Sequence, residues 1–250
     1  MHNGNLSIIF RTAILSIVLL LGACASNGSD PGSEPNIDPW EPMNRPIHGF
    51  NRVLDKGIVK PVAKGYEYVV PSMLRRGVTN FSRNLRSPAN ALNNLLQGKG
   101  GAAMNEIGRF IANSTFGLLG IFDVATATGL DASPEDFGQT FAAWGIPDGP
   151  YVVVPLLGPR TLRGAFAIPL NFLTDPLTYY DNSSVRSKLW ALRLIDVRQR
   201  LFAAEELIAD AQDRYIAIRG AYLQNRRFLI YDGNPPDDDD DDFYEDFPDD

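Results

Sequence analysis

Cysteine is nearly absent: the 250-residue chain has one, Cys24. No intrachain disulfide can form, so the fold is held without covalent staples. Histidine is almost as scarce, with His2 and His48 alone. A zinc site built from histidine and cysteine needs more ligands than this chain supplies. No GxSxG, GxGxxG or GxxxxGK[ST] occurs, so the nucleophile-elbow and phosphate-cradling signatures are missing. His48, in PIHGFN, reads as a surface or capping group and not as a general base. Adjacent carboxylates such as Glu135/Asp136 and Glu205/Glu206 diverge on a helix and mark no cleft. No basic stripe is present, so nucleic acid is not an expected partner. The reading is of a protein with no enzymatic chemistry, no metal and no cofactor.

From Thr12 to Leu21 the chain is almost wholly apolar, after the single base Arg11. That run is short for a membrane span, which needs roughly 20 residues. Small residues and Cys24 follow, the layout of an export signal over residues 1–23. Leu21-Gly22-Ala23-Cys24 resembles the lipobox of bacterial lipoproteins. The resemblance implies cleavage before Cys24, a diacylglycerol on its thiol and a third acyl chain on its amine. An uncleaved anchor with an incidental cysteine is the other reading. Several buried chains, at about 0.8 kcal/mol per methylene, make a firm anchor. Residues 24–37 are a polar tether rich in Gly, Pro and Ser. Ala25, not aspartate, follows the cysteine, and by the rule of enteric-type lipoproteins this implies release to the outer membrane.

Charge is unevenly placed. Residues 232–250 hold 11 acids and no base, while residues 24–231 hold 22 bases and 19 acids. Composition makes the terminal segment, with its PPDDDDDDFYEDFPDD run, a solvated, disordered tail. The body is then residues 38–231, one domain of ordinary size.

Within the body, strands are scarce, and Tyr151 to Pro155 (YVVVP) is the best strand-like run. The rest reads as helices cut by glycine and proline. Ile47, Phe50, Leu54 and Ile58 recur at helical spacing until Pro61 interrupts. Ser72 can cap a helix on which Leu74, Val78, Phe81 and Leu85 share a face. Ser87-Pro88 then breaks it, and another helix runs to Leu96 and ends near Gly98. Ala102 to Thr115 resumes with Ile107, Phe110, Ile111 and Ser114 on one side. Ser133 reads as a cap with Pro134 at the first helical position. Arg160 to Phe172 is a short helix, and Val185 to Gln224 a long one broken near Ala211. Glycines interrupt the apolar pattern at Gly49, Gly57, Gly77, Gly108, Gly117 and Gly120, each costing about 1 kcal/mol against alanine in a helix. Gly108 to Ala125 approaches the length of a span, but Arg109, Asn113, Asp123 and the Gly117/Gly120 turn divide it into two helical pieces.

These stretches carry a resemblance: DPWEPMNRPIHGFN (Asp38 to Asn51), VKPVAKGYEYVVP, GVTNFSRNLRSPANALNNLLQG, GRFIANSTFGLLGIFDVA, DFGQTFAAWGIPDGPYVVVPLLGPRTLR and DRYIAIRGAYLQNRR. In order, they resemble the MlaA/VacJ family of outer-membrane lipoproteins over nearly all of residues 38–227. The resemblance implies an all-α fold, in which glycine/proline-punctuated amphipathic helices form a ring-like body around an amphipathic channel. It implies a place in the inner leaflet of the outer membrane, lipid-anchored on the periplasmic side. The implied role is to remove phospholipids mislocalised in the outer leaflet and so maintain lipid asymmetry. The implied partners are phospholipid, a trimeric porin, and a soluble periplasmic lipid carrier that leads to an inner-membrane ABC transporter. A structural lipoprotein that scaffolds porins or envelope complexes without moving lipid is the competing reading. One departure is Gly164, which follows Thr161-Leu162-Arg163 where many members carry aspartate. It leaves a salt bridge or turn cap there without its usual acid.

The resemblance singles out Cys24 for lipidation. From the opening motif it takes Asp38, Pro39, Trp40, Glu41, Asn44, Phe50 and Asn51. Trp40 suits either a membrane interface or core packing. The central motif supplies Phe137, Gly138, Gln139, Trp144, Gly145, Gly149, Pro150 and Tyr151, whose glycines read as a tight turn or a lipid portal. Arg109, Asn113 and Asp123 are polar groups in an apolar run, expected to pair with one another or to line a channel. Arg109 and Asn113 share a helix face, and the Gly117/Gly120 turn can bring Asp123 back to Arg109.

Overall fold

The structure, a computed structural model, describes residues 37–236. Cys24, the export signal, nearly all of the tether and the Asp237 to Asp250 end lie outside the described residues. The chain divides after Ile37, and the second unit begins at Asp38.

Helix dominates, as the all-α reading expects, with one antiparallel hairpin. The order is α1 (Glu41–Leu54), a π-helical turn (Asp55–Val59), α2 (Lys60–Val69), α3 (Ser72–Leu96), α4 (Gly100–Thr115), α5 (Val124–Ala127) and α6 (Phe137–Ala143). Then come β1 (Tyr151–Val154), β2 (Gly158–Thr161), α7 (Leu162–Leu173), a 3-10 turn (Pro176–Tyr179), α8 (Ser183–Arg200), α9 (Phe202–Leu207) and α10 (Arg214–Ile230). Among the described residues no helix is long and apolar enough to cross a membrane.

Several proline punctuation marks do not end helices. The sequence pattern predicts an interruption at Pro61, yet helical backbone runs from Glu41 to Val69. The π-turn shifts the ladder, with Lys60 N–H bonding to the Asp55 carbonyl, and Pro61 falls in the first turn of α2 where no donor is required. Pro88 was expected to start a new helix, but it lies inside the 25-residue α3. A mid-helix proline costs about 3 kcal/mol, and packing of α3 against α4 overrides it. Ser72 makes no side-chain cap, since Pro71 holds the cap position. Ser133 and Pro134 precede their helix by several residues, and Asp136 caps α6 instead, accepting from Gln139 N–H at 3.0 Å. Arg160 belongs to β2 and not to a helix, so the hairpin partner of the YVVV strand is GPRT, a segment that proline and glycine disguise. The long C-terminal stretch is three helices, with breaks at Leu201 and at residues 208–213.

The turn from α3 to α4 needs glycine. Gly98 has φ of 78°, and Lys99 N–H returns to the Asn94 carbonyl at 2.8 Å. The two helices form an antiparallel hairpin whose packed face is polar. Asn84, Ser87, Asn90, Asn93 and Asn94 are buried on α3, and Glu106, Arg109 and Asn113 on α4. The opposite face carries exposed Leu92, Leu95, Met104, Ile107 and Ile111. Glu106 is 1% exposed while its neighbour Ile107 is 42% exposed. That inverts the usual distribution.

A conventional core exists elsewhere. Tyr151 and Val153 of β1 bury against Tyr215 of α10, with Ile47 of α1, Tyr222 and Leu223 packed around them.

Candidate functional site

α1 is fixed to the hairpin by two asparagines seven residues apart, hence on one helix face. Asn44 donates to the Tyr151 carbonyl at 3.0 Å and accepts from Val153 N–H at 2.8 Å. Asn51 repeats the pattern on the Val154 carbonyl (3.0 Å) and Leu156 N–H (2.8 Å). Asn44 thus serves as a strand partner for the free edge of β1, while Asn51 holds the hairpin turn that follows it. Asn44 also donates to Asp38 at 2.8 Å. Buried Asp38 accepts from Tyr215 Oη and from Arg219 Nη1 (3.0 Å). Burial and Asp38 push the Tyr215 hydroxyl well above the usual phenol range. Glu41 pairs with Arg45 at 2.6 Å. Trp40, half-buried, holds the cap position of α1, beside exposed Pro39. Phe50 faces outward, 53% exposed. His48 is not a simple surface group, because its ring meets Tyr215 edge-on at 5.5 Å.

The central motif packs as a second unit. Phe137, Gly138 and Gln139 are buried in the first turn of α6. Asp136 receives both ends of the Arg226 guanidinium, at 2.7 and 2.6 Å, and Arg226 also donates to Gln139 Oε1 at 3.2 Å. A Cβ on Gly138 would collide with Arg226 Nη2, which its bonds to Asp136 hold in place, so glycine keeps this pairing intact. Burial pushes the Asp136 carboxyl up, but the Arg226 bonds outweigh it and hold the group below the ordinary range. Exposed Trp144 donates from Nε1 to the Leu96 carbonyl at 3.0 Å. Gly145 and Gly149 take φ of 81° and 64°, forming the turn that leads through Pro150 to Tyr151. At the Gly164 departure the cap survives. Thr161 Oγ1 accepts from Gly164 N–H at 3.2 Å, and Arg163 finds Asp148 at 2.7 Å.

The third unit is the α4–α5 corner. Arg109 Nη2 lies 3.0 and 2.9 Å from the two Asp123 oxygens, and Asn113 Nδ2 donates to Asp123 at 3.1 Å. Asn113 Oδ1 accepts from Ala125 N–H at 2.9 Å. Burial raises the Asp123 carboxyl, but bonds from Thr126, Arg109 and Asn113 prevail and lower it below 3.8. The connecting turn is strained: Leu118, Leu119 and Gly120 have φ of 49°, 57° and 92°. It is held by Asn84, which donates to the Leu119 carbonyl at 3.2 Å. Its side chains Phe116, Leu118 and Leu119 are exposed.

Two cavities lie beside these units. An apolar cleft of about 720 Å³ is lined by Leu74, Val78, Phe81 and Leu85 of α3, by Ile121 and Phe122 of the strained turn, and by Leu189 and Leu192 of α8. The α3 face read from sequence is thus the wall of a cleft. A smaller, polar cavity of about 370 Å³ is lined by Arg86, Arg160, Arg193 and Arg226 with Asp136 and Asp175, against Trp190 and Tyr222. Arg193 borders both spaces and pairs with Asp175. Among the described residues no group of three or more His, Cys, Asp or Glu side chains is placed to hold a metal.

Sequence reasoning singles out no individual residue of α10, and on the α3 polar face it names Ser87 alone, as a helix break. A signal was present for both: Tyr215, Arg219, Tyr222 and Arg226 fall at i, i+4, i+7 and i+11, and Asn84, Ser87, Ala91 and Asn94 at i, i+3, i+7 and i+10.

The family model for the MlaA lipoprotein matches residues 36–229. The intermembrane phospholipid transport system lipoprotein MlaA of Escherichia coli (strain K12) is 35% identical over 230 residues, covering 88% of this chain and 87% of its own. Its namesake in Haemophilus influenzae is 33% identical over 234 residues, covering 89% and 90%. A solved structure described as "Structural basis for maintenance of bacterial outer membrane lipid asymmetry" superposes with a TM-score of 0.68 at 33% identity. That match covers 77% of this chain and 98% of the other. With its fold and nearly its whole body matched, this chain belongs to the MlaA lipoprotein family.

Proposed function

We propose that this protein takes phospholipid out of the outer leaflet of the outer membrane and hands it to a soluble periplasmic carrier. Its relatives are named for intermembrane phospholipid transport, and the inverted burial carries the reading to this chain. Polar side chains gather between α3 and α4 while leucine, isoleucine and methionine face out. Such a body suits apolar surroundings, because helices satisfy their own backbone groups there. The apolar cleft beside the arginine-lined cavity offers separate surroundings for acyl chains and headgroup. The protein itself breaks no covalent bond. Acyl chains on Cys24 hold it on the periplasmic side, with residues 24–37 as tether, residues 38–231 as working body, and the acidic end beyond it. A trimeric porin beside it and an inner-membrane ABC transporter beyond the carrier complete the route.

The test is the phospholipid content of the outer leaflet in a strain lacking the gene, with and without its restoration. Accumulation that the restored gene reverses is the expected result. Unchanged leaflet composition overturns transport and favours a scaffold. Fatty-acid label on the parent protein, absent from Cys24→Ala, checks the anchor.

A further inference from the structure

We infer that the smaller cavity is an anion site that holds the phosphodiester of a glycerophospholipid, with Arg86 and Arg160 as its charged ligands. The inference rests on the phospholipid reading above and assigns the headgroup a place. Four guanidinium groups line the cavity against two carboxylates, an excess of two positive charges. Both carboxylates are already engaged, Asp136 by Arg226 and Asp175 by Arg193. Among the described residues the Arg160 guanidinium donates only to the neighbouring Pro159 carbonyl, at 2.6 Å, and Arg86 makes no ion pair.

Buried guanidinium donors without acceptors stand on two of the residues that line this cavity. Arg226 is 8% exposed, and among the described residues its Nε has no hydrogen-bond partner, nor has the buried Nη2 of Arg193. Both residues line this cavity. A buried guanidinium donor left without an acceptor is costly, and native proteins rarely tolerate it without a missing partner. A phosphodiester offers the arginine-lined cavity one negative charge and acceptor oxygens suited to arginine's fork. The surroundings fit the rest of such a molecule. Leu157, Phe172 and Trp190 give apolar walls, and Leu85, next to Arg86 in sequence, lines the apolar cleft. A lipid with its phosphate on Arg86 and Arg160 thus has an acyl-compatible space at the adjacent residue of α3.

The experiment uses the full-length protein in detergent and three probes. These are dihexanoyl-phosphatidylglycerol, dihexanoylglycerol with the same chains but no phosphate, and inorganic phosphate. Arg226 and Arg193 are left intact because their pairs hold the fold, and the variant is Arg86→Gln with Arg160→Gln. Phosphatidylglycerol binding is expected to weaken at least about tenfold, with dihexanoylglycerol binding and the melting temperature unchanged. Arg86→Lys with Arg160→Lys is expected to recover part of the loss. Equal phosphatidylglycerol binding by parent and glutamine variant overturns the site while leaving the transport reading standing. Tighter binding of inorganic phosphate than of phosphatidylglycerol also overturns it, making this a free-anion site. A parent that binds no phosphatidylglycerol defeats the transport reading, and this inference with it.

Discussion

The α3–α4 hairpin and the corner built by α1, the β-hairpin and α10 are folded from the same chain under opposite rules. At the corner, Tyr151, Val153 and Tyr215 are buried together, as in a water-soluble domain. Between α3 and α4 the buried groups are asparagine, glutamate and arginine, and the large apolar side chains look outward. In water, the second arrangement forfeits most of the hydrophobic stabilisation available to it. In an apolar medium it forfeits little, because polar groups satisfied inside and apolar groups outside are what that medium favours. One part of the body thus follows the burial rule of a water-soluble domain and the other inverts it, and the strained Leu118-Leu119-Gly120 turn also displays its leucines outward.

The largest loss is expected at Asp123. Asp123→Asn leaves Arg109 buried without its counter-charge, a loss of about 3–5 kcal/mol, read by thermal or denaturant unfolding in detergent. Arg109→Asp combined with Asp123→Arg is expected to restore part of it. The pH dependence has a definite sign. A carboxyl lowered below 3.8 contributes stability that is complete above that pH and is lost as the pH falls through its native value. The deficit of Asp123→Asn therefore shrinks in acid below 3.8. A constant deficit from pH 7 to pH 3 would show that the charge is not what matters.

A smaller effect is expected at the water-type corner. Tyr215→Phe keeps the ring and its contacts but removes the hydroxyl that donates to Asp38. Arg219 and Asn44 still hold that carboxylate, so the cost is about 1–2 kcal/mol. A loss as large as that of Asp123→Asn would erase the distinction between the two regions.

Much of this was legible in the sequence and some of it was not, for physical reasons. Helical periodicity located the faces on α3 and α4, and the spacing of Arg109, Asn113 and Asp123 anticipated their meeting. Periodicity cannot say which face is buried, because the pattern is the same whether water or lipid is the solvent. Prolines misled at Pro61 and Pro88, where a π-turn and tertiary packing overrode local propensity. β2 went unseen because Gly158-Pro159 is poor strand material, made tolerable at the outer edge of a two-stranded ribbon. Motif resemblance marks Asp38, Asn44 and Gly138, and the fold gives their reasons: a strand-edge clamp and a guanidinium pressed against a glycine. The arginine cavity needed three dimensions, since Arg86, Arg160, Arg193 and Arg226 come from four separate elements.

Adjacent Glu135 and Asp136 are shifted in opposite directions. Burial raises the Glu135 carboxyl above 4.5 despite Gln97 and Lys99, whereas Asp136 is lowered. A raised carboxyl contributes stability present below pH 4.5 and lost as the pH rises through its native value. Glu135→Gln is therefore expected to cost under about 1 kcal/mol at pH 7, since Lys99 keeps Asp232 at 2.6 Å. Its stability relative to the parent is expected to improve between pH 4.5 and pH 7. Melting curves across that range decide it, and a relative decline would mean that the Lys99 pair dominates.

The smallest folding effect is expected where the comparison is most exposed to test, on the outward face of α4. Ile107 and Ile111 are 42% and 56% exposed, one turn apart. If this face meets lipid, changing both to serine removes little from the folded protein, within about 0.5 kcal/mol each in detergent. The loss falls on membrane affinity instead. Each isoleucine side chain buried in an apolar phase is worth roughly 1.5–3 kcal/mol, and half-exposed ones somewhat less. The pair is then expected to lower partitioning into vesicles of phosphatidylethanolamine and phosphatidylglycerol by roughly tenfold or more. Acyl chains would mask the change, so the measurement belongs in a Cys24→Ala background, by flotation of the purified protein with vesicles. Two serines that cost several kcal/mol in unfolding and leave flotation unchanged would make this face an ordinary core surface awaiting a protein partner. Weakened flotation with an intact fold would mark α4 as a helix whose polar side is its interior and whose apolar side is the membrane.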